Sequence, residues 1–166
     1  NVLLVLDLES VVQDLGLYKP DLNSLPDEIE SFSGVALVLD DSATARRIIK
    51  ESLEKMGFKV VEAVDGQEGL EKLDEIYETY GEYISDNLKI IISDVEMPRM
   101  DGFHFAANVK EDRRFADIPI VFNSSISDHF SENRGIKAGG EAYLVKFESS
   151  YFYSEIARVV HEHMKP

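Results

Sequence analysis

The sequence predicts an α/β fold: a doubly wound parallel sheet of five strands, each followed by a helix, (βα)5, in the strand order 2-1-3-4-5. Three observations predict it. The stretch LKIIISDVEMPRMDG at 88–102 is a continuous apolar run that ends in an Asp, a Met-Pro and a Gly, as suits a strand buried on both faces and leading into a helix. From Gly34 onward, short apolar runs alternate with segments of helical period. Right-handed crossovers then leave a parallel sheet covered on both sides, and 166 residues are too few for a (β/α)8 barrel, which needs about 250.

Taken in order, residues 1–16 read as a strand at 2–6, a turn and a short helix ending at Gly16, too little to bury a core alone. They read as the tail end of a preceding, mostly absent domain, and the opening on Asn1 rather than Met fits a piece of a longer chain. Residues 17–33 carry two prolines and many acids with little apolar period, which is linker composition. Residues 34–166 hold the main domain. Val35–Leu39 is the first strand, ending in Asp40-Asp41. Asp41 or Ser42 caps a helix whose apolar positions are Ala45, Ile48, Ile49, Leu53 and Met56, and Gly57 stops it. A second strand at 58–64 turns at Asp65-Gly66 into a helix through about Tyr80, and 77–87 is expected to be a helix end plus loop. The third strand is Leu88–Ser93, followed by a helix at 103–112. A fourth strand at 118–123, a helix at 128–138, a fifth strand at 141–145 and a last helix at 150–164 complete the pattern.

Composition removes several function classes. Seventeen basic against 32 acidic side chains leave a net charge of −15, which repels nucleic acid and anionic membrane. The absence of cysteine excludes disulfides and thiolate metal sites and fits a reducing compartment, so a cytoplasmic location is expected. The early apolar run at 2–6 is too short to span a bilayer, and no basic stretch precedes it as in a signal peptide. No G-x-G-x-x-G or P-loop is present, which argues against a nucleotide enzyme.

In the predicted fold, the carboxyl edge of the sheet collects the chemistry. Asp40 and Asp41 end the first strand and Asp94 the third, with Ser124 just beyond the fourth and Lys146 just beyond the fifth. Three carboxylates in one pocket repel one another, and a hard divalent cation such as Mg2+ relieves them. An Asp carboxylate can accept a phosphoryl group when a metal and a cation neutralise the incoming charge. Lys146 supplies that cation and the Ser124 hydroxyl a hydrogen bond to a phosphoryl oxygen, which makes Asp94 the expected acceptor.

The ordered motifs VALVLDDS, IISDVEMPRMDG, FNSS and AYLVK resemble the receiver domain of two-component response regulators, over residues 34–166. The spacings agree, with 30 positions from Asp94 to Ser124 and 22 from Ser124 to Lys146. The resemblance implies a flavodoxin-like fold and a phosphoacceptor that takes its phosphoryl group from a histidine kinase. It implies Mg2+ bound by the side chains of Asp41 and Asp94, by Asp40 mainly through a water, and by the backbone carbonyl of Glu96. Ser124 and Tyr143 take the switch positions, so that phosphorylation would reshape the face around Tyr143. One departure stands out: receivers usually place proline after the lysine, often cis, whereas here Phe147 follows Lys146, which predicts a trans bond with an altered loop, or strain. Residues 1–16 resemble the closing strand and helix of a CheW-like coupling domain, and the whole arrangement is similar to the CheV family of chemotaxis adaptors. That resemblance implies a CheA-like histidine kinase and the chemoreceptor complex as partners, with the receiver tuning their coupling or draining phosphoryl groups.

Two rivals remain at the level of sequence. A phosphohydrolase with an Asp nucleophile on the first strand wants D-x-D, and here Ser42 stands two residues after Asp40. A degenerate receiver that only binds a partner would dispense with the five site residues, all of which are present.

Overall fold

A computed structural model describes residues 31–125, 129–145 and 149–164. The expected segment at 1–16, most of the expected linker, and Lys146 with Phe147 lie outside the described residues. Five strands, β1 (Val35–Leu39), β2 (Lys59–Ala63), β3 (Leu88–Ser93), β4 (Ile120–Ser124) and β5 (Ala142–Val145), form one sheet in the order β2-β1-β3-β4-β5. Every pairing is parallel, as expected. All five carboxyl ends therefore share one edge.

The alternation of side chains along the strands sorts the core into two layers. Leu37, Leu39, Ile91, Ile120 and Phe122 face α2 (Gly66–Tyr80) and α4 (Gly102–Glu111). Ala36, Val38, Ile90, Ile92, Val121 and Leu144 face α1 (Ala43–Met56) and α6 (Ser149–Met164). The strand positions of β1 and β3 are almost wholly buried, which is why VALVL is apolar throughout and β3 carries Leu88 and Ile90–Ile92. Each such side chain contributes about 1.5–3 kcal/mol of burial. Between β4 and β5 lies α5 (His129–Lys137).

The start of α1 is capped by Ser42, whose Oγ accepts from the Ala45 N–H at 3.2 Å. Its stop is Gly57, held at φ 109° in the left-handed region that glycine adopts without penalty. One expected core position fails here: Ile48 is 46% exposed. At 100° per residue, Ala45, Ile49, Leu53 and Met56 share an arc of about 80°, and Ile48 falls about 60° outside it. A second correction concerns 77–87, expected to hold a loop. After α2 the chain continues as a 3-10 turn at Gly81–Tyr83 and a short helix, α3 (Ile84–Asn87), so the connection is helical to the first residue of β3. Ile84, fully buried in the α2 layer, anchors it. The fourth strand begins two residues later than the sequence suggests, after Pro119, and takes Ser124 in as its last residue rather than leaving it beyond.

Phe32, just ahead of β1, packs onto this framework. Its N–H donates to the Met56 carbonyl at 2.7 Å, and its ring stacks on Phe58 at 5.3 Å and meets His161 of α6 at 5.6 Å. The contact supplies a partner for a carbonyl of the last turn of α1 and joins α1, β2 and α6 at the amino-terminal edge. Phe32→Ala is expected to lower unfolding stability by about 1–3 kcal/mol, less than a fully buried Phe because the ring is half-buried. Urea unfolding of the two chains measures it, and equal midpoints and slopes would refute it.

Candidate acidic site

The site stands on two strand ends brought side by side by the pairing of β1 with β3. Asp40 follows β1 and is fully buried; its N–H donates to the Ala63 carbonyl at 3.1 Å and its Oδ1 accepts from the Ser42 N–H at 2.9 Å. Asp94 follows β3 and is 5% exposed; its N–H donates to Leu39 O at 2.8 Å, and its Oδ1 accepts from the Val95 N–H at 2.8 Å. Asp41 is exposed at the mouth. Carboxylate oxygens of Asp40, Asp41 and Asp94 lie within 4.8 Å of one another. The structure therefore brings together the three acids read from the sequence.

The donor set is all oxygen, and a site of one or two direct carboxylates with room for waters on an exposed side suits Mg2+ better than a soft metal. Ser124 ends β4, next to β3, and is buried. Tyr143 sits mid-strand in β5, half-buried, its ring centroid 6.3 Å from that of Phe122. Glu96 lies on the segment between β3 and α4 with its side chain exposed. Lys146 is among the residues not described, and so is its bond to Phe147.

Two arginines that the sequence does not single out, Arg46 and Arg99, frame the acids together with Asp65. Arg46 of α1 donates from Nη1 to the Asp40 carbonyl at 2.8 Å and from Nε to Glu62 at 2.9 Å, tying β1 to β2 behind the site. Asp65 caps α2, its Oδ1 accepting from the Glu68 N–H at 2.9 Å, and its Oδ2 receives Arg99 Nε at 2.7 Å. The sequence marks Asp65-Gly66 as the turn into the helix, but nothing in it pairs residues 34 positions apart. The Arg99 guanidinium beside it holds the Asp65 carboxyl below its ordinary value of 3.8. A depressed folded value means that the pair stabilises the fold above the unfolded value and stops doing so as pH falls through the folded one. The stability gap between the natural chain and Asp65→Asn is therefore expected to close below about pH 4, read by urea unfolding across pH; a gap that widens on acidification would contradict this.

A separate cleft of about 590 Å3 opens at the opposite, amino-terminal edge, among Lys89, Lys110, Glu141 and His163. In it Lys110 Nζ donates to the Ala116 and Ile118 carbonyls, and Glu141 lies between Lys110 and His163. No helix among the described residues is long and apolar enough to cross a membrane.

Comparison with known proteins bears on the family. Residues 36–151 match the response regulator receiver domain. The chain is 48% identical over 160 residues to chemotaxis protein CheV3 of Helicobacter pylori, covering 96% of this chain and 51% of that protein, so it spans about half of that relative's length. It is 39% identical over 111 residues to chemotaxis protein CheY1 of the same organism, covering 66% of this chain and 82% of that one. Its fold is similar to the structure of the chemotaxis response regulator CheY4 of Vibrio cholerae, with a TM-score of 0.66 and 28% identity over 77% of this chain and 99% of the other. With a parallel five-stranded sheet, an acidic cluster at its carboxyl edge and these matches, the chain belongs to the response regulator receiver domain family, of the CheY and CheV type found in two-component chemotaxis signalling.

Proposed function

We propose that this receiver accepts a phosphoryl group on Asp94 from a histidine kinase and needs Mg2+ to do so. The observation that carries the reading is the convergence of Asp40, Asp41 and Asp94 within 4.8 Å at the carboxyl edge. When bound by Asp41 and Asp94, by Asp40 mainly through a water and by the Glu96 carbonyl, Mg2+ supplies charge neutralisation at the phosphoryl oxygens. Asp94 then acts as nucleophile: one carboxylate oxygen bonds to phosphorus as the bond from phosphorus to the donor nitrogen breaks, giving an acyl phosphate. The Val95 N–H on Oδ1 holds the carboxylate plane at the strand end. Lys146 is assigned the role of the cation that offsets the added charge, and Ser124 that of a donor to a phosphoryl oxygen. Tyr143 is assigned the switch, turning inward once Ser124 is drawn toward the phosphoryl group.

The domain acts as a regulatory phosphoacceptor with only self-catalysed phosphotransfer and dephosphorylation. The likeness to CheV3, which runs over 96% of this chain, supports a CheV-type role. In that reading, residues 34–166 are the receiver, 17–33 a linker and 1–16 the close of a CheW-like domain. The parent protein joins a CheA-like kinase to the chemoreceptor complex in the cytoplasm, where the receiver tunes that coupling or serves as a phosphate sink. The test is intact-mass measurement after incubation with acetyl phosphate. One added phosphoryl group is expected with Mg2+ and none after chelation with EDTA; no adduct under either condition, or one indifferent to EDTA, would end this reading.

A further inference from the structure

Resting on that reading of the site, we propose that Arg99 and Asp65 form a latch that positions the segment between β3 and α4, and through it the Asp94 carboxylate and the Glu96 carbonyl. The segment leaves the acceptor and must return to start α4 within eight residues. Its near end is set at Val95, whose N–H holds Asp94 Oδ1 and whose carbonyl accepts from the Gly102 N–H at 2.8 Å. Its far end is tied to the corner between β2 and α2 by two bonds. Gly66 N–H donates to Met100 O at 3.1 Å, and Arg99 Nε donates to Asp65 Oδ2 at 2.7 Å.

Arg99 also has φ 65°, and among the described residues it is the non-glycine residue with positive φ. A side chain in that region is uncommon, and glycine would occupy it without strain. The chain keeps an arginine at a place where the backbone favours glycine, so the guanidinium has a use there. That use is visible in its partner: Asp65 is 3% exposed in its side chain, anchored by its cap on α2, whereas Arg99 is 62% exposed. The buried acid is the fixed post, and the exposed arginine reaches it from the segment. Glu96 sits on the span between Asp94 and the latch, so its carbonyl direction depends on both ends being held. Arg99 and Asp65 are thus positioning residues that touch neither metal nor phosphoryl group.

Arg99→Gly separates the two demands, since it relieves the backbone while deleting the guanidinium. Mg2+ is titrated into the 15N-labelled protein and followed by chemical shift, beside the thermal midpoint without metal and the acetyl phosphate reaction rate. Arg99→Gly is expected to weaken Mg2+ binding by about two- to fivefold, in keeping with a partly exposed pair, while the metal-free midpoint changes little because relief of the positive φ offsets the lost ion pair. Asp65→Asn is expected to weaken binding similarly, and the double variant no further than either single one. Wild-type Mg2+ affinity and reaction rate in Arg99→Gly, or additive effects in the double variant, would overturn the latch while leaving the phosphoacceptor reading intact. Failure of the natural chain to bind Mg2+ would overturn both.

Discussion

Asp94→Asn is expected to take up no phosphoryl group from acetyl phosphate and Mg2+ under conditions in which the natural chain gains one. The amide is the same shape as the carboxylate, and its Oδ1 still accepts the Val95 N–H, so the strand end and the turn after it are retained. What is lost is the anionic oxygen that forms the bond to phosphorus. The same change relieves the repulsion among three acids whose oxygens lie within 4.8 Å, two of them buried. In the absence of Mg2+ the variant is therefore expected to be more stable than the natural chain, by about 1–2 kcal/mol. Added Mg2+ should raise the natural chain's thermal midpoint by mass action and the variant's by less. Intact mass and thermal unfolding with and without the metal read both effects. An adduct of undiminished yield in Asp94→Asn would place the nucleophile elsewhere, and a variant less stable than the parent without metal would mean that the acids do not repel as their spacing implies.

The sheet is legible in the sequence because burial on both faces favours mostly apolar runs, and these end at the acids. VALVL before Asp40 and LKIIIS before Asp94 were readable in that way, and parallel pairing then had to bring the two ends together. Capping is readable where it is local: Asp41 and Ser42 are the two candidates at the start of α1, and Ser42 is the one that caps. The helical link at 81–87 was not, because Gly81 and the polar stretch after it read as a loop, while the buried Ile84 that fixes the turn is a tertiary contact. Ile48 misled for a related reason: helical period names a stripe, and a residue on its flank is buried only if a neighbour covers it. The long-range pairs behind the site, Arg46 with Glu62 and Arg99 with Asp65, carry no periodic or spacing signal at all. Such pairs emerge only once the elements that carry them are side by side.

Gly102→Ala is the second change expected to have a large effect, and its sign discriminates between two rules. Helix propensity alone would have alanine in a helix stabilise by up to about 1 kcal/mol. Here a Cβ would overlap the carbonyl oxygen of Asp94, and it would lie 3.0 Å from Ser93 Oγ, which donates to that carbonyl at 2.8 Å. Neither neighbour can yield cheaply. Asp94 is tied through its N–H to Leu39 O, and Gly102 through its own N–H to Val95 O, so relief requires α4 to back away from the strand end. Overpacking of this kind costs about 1–3 kcal/mol and wins over the propensity gain. The displaced strand end is the one that carries the acceptor, so the acetyl phosphate reaction should slow by about tenfold or more, since misplacement by an ångström is felt that strongly in a positioned reaction. Urea unfolding and the rate of adduct formation measure the two effects on one protein. A chain as stable and as reactive as its parent would mean that α4 starts independently of the acceptor, and that the glycine is there only as a helix start.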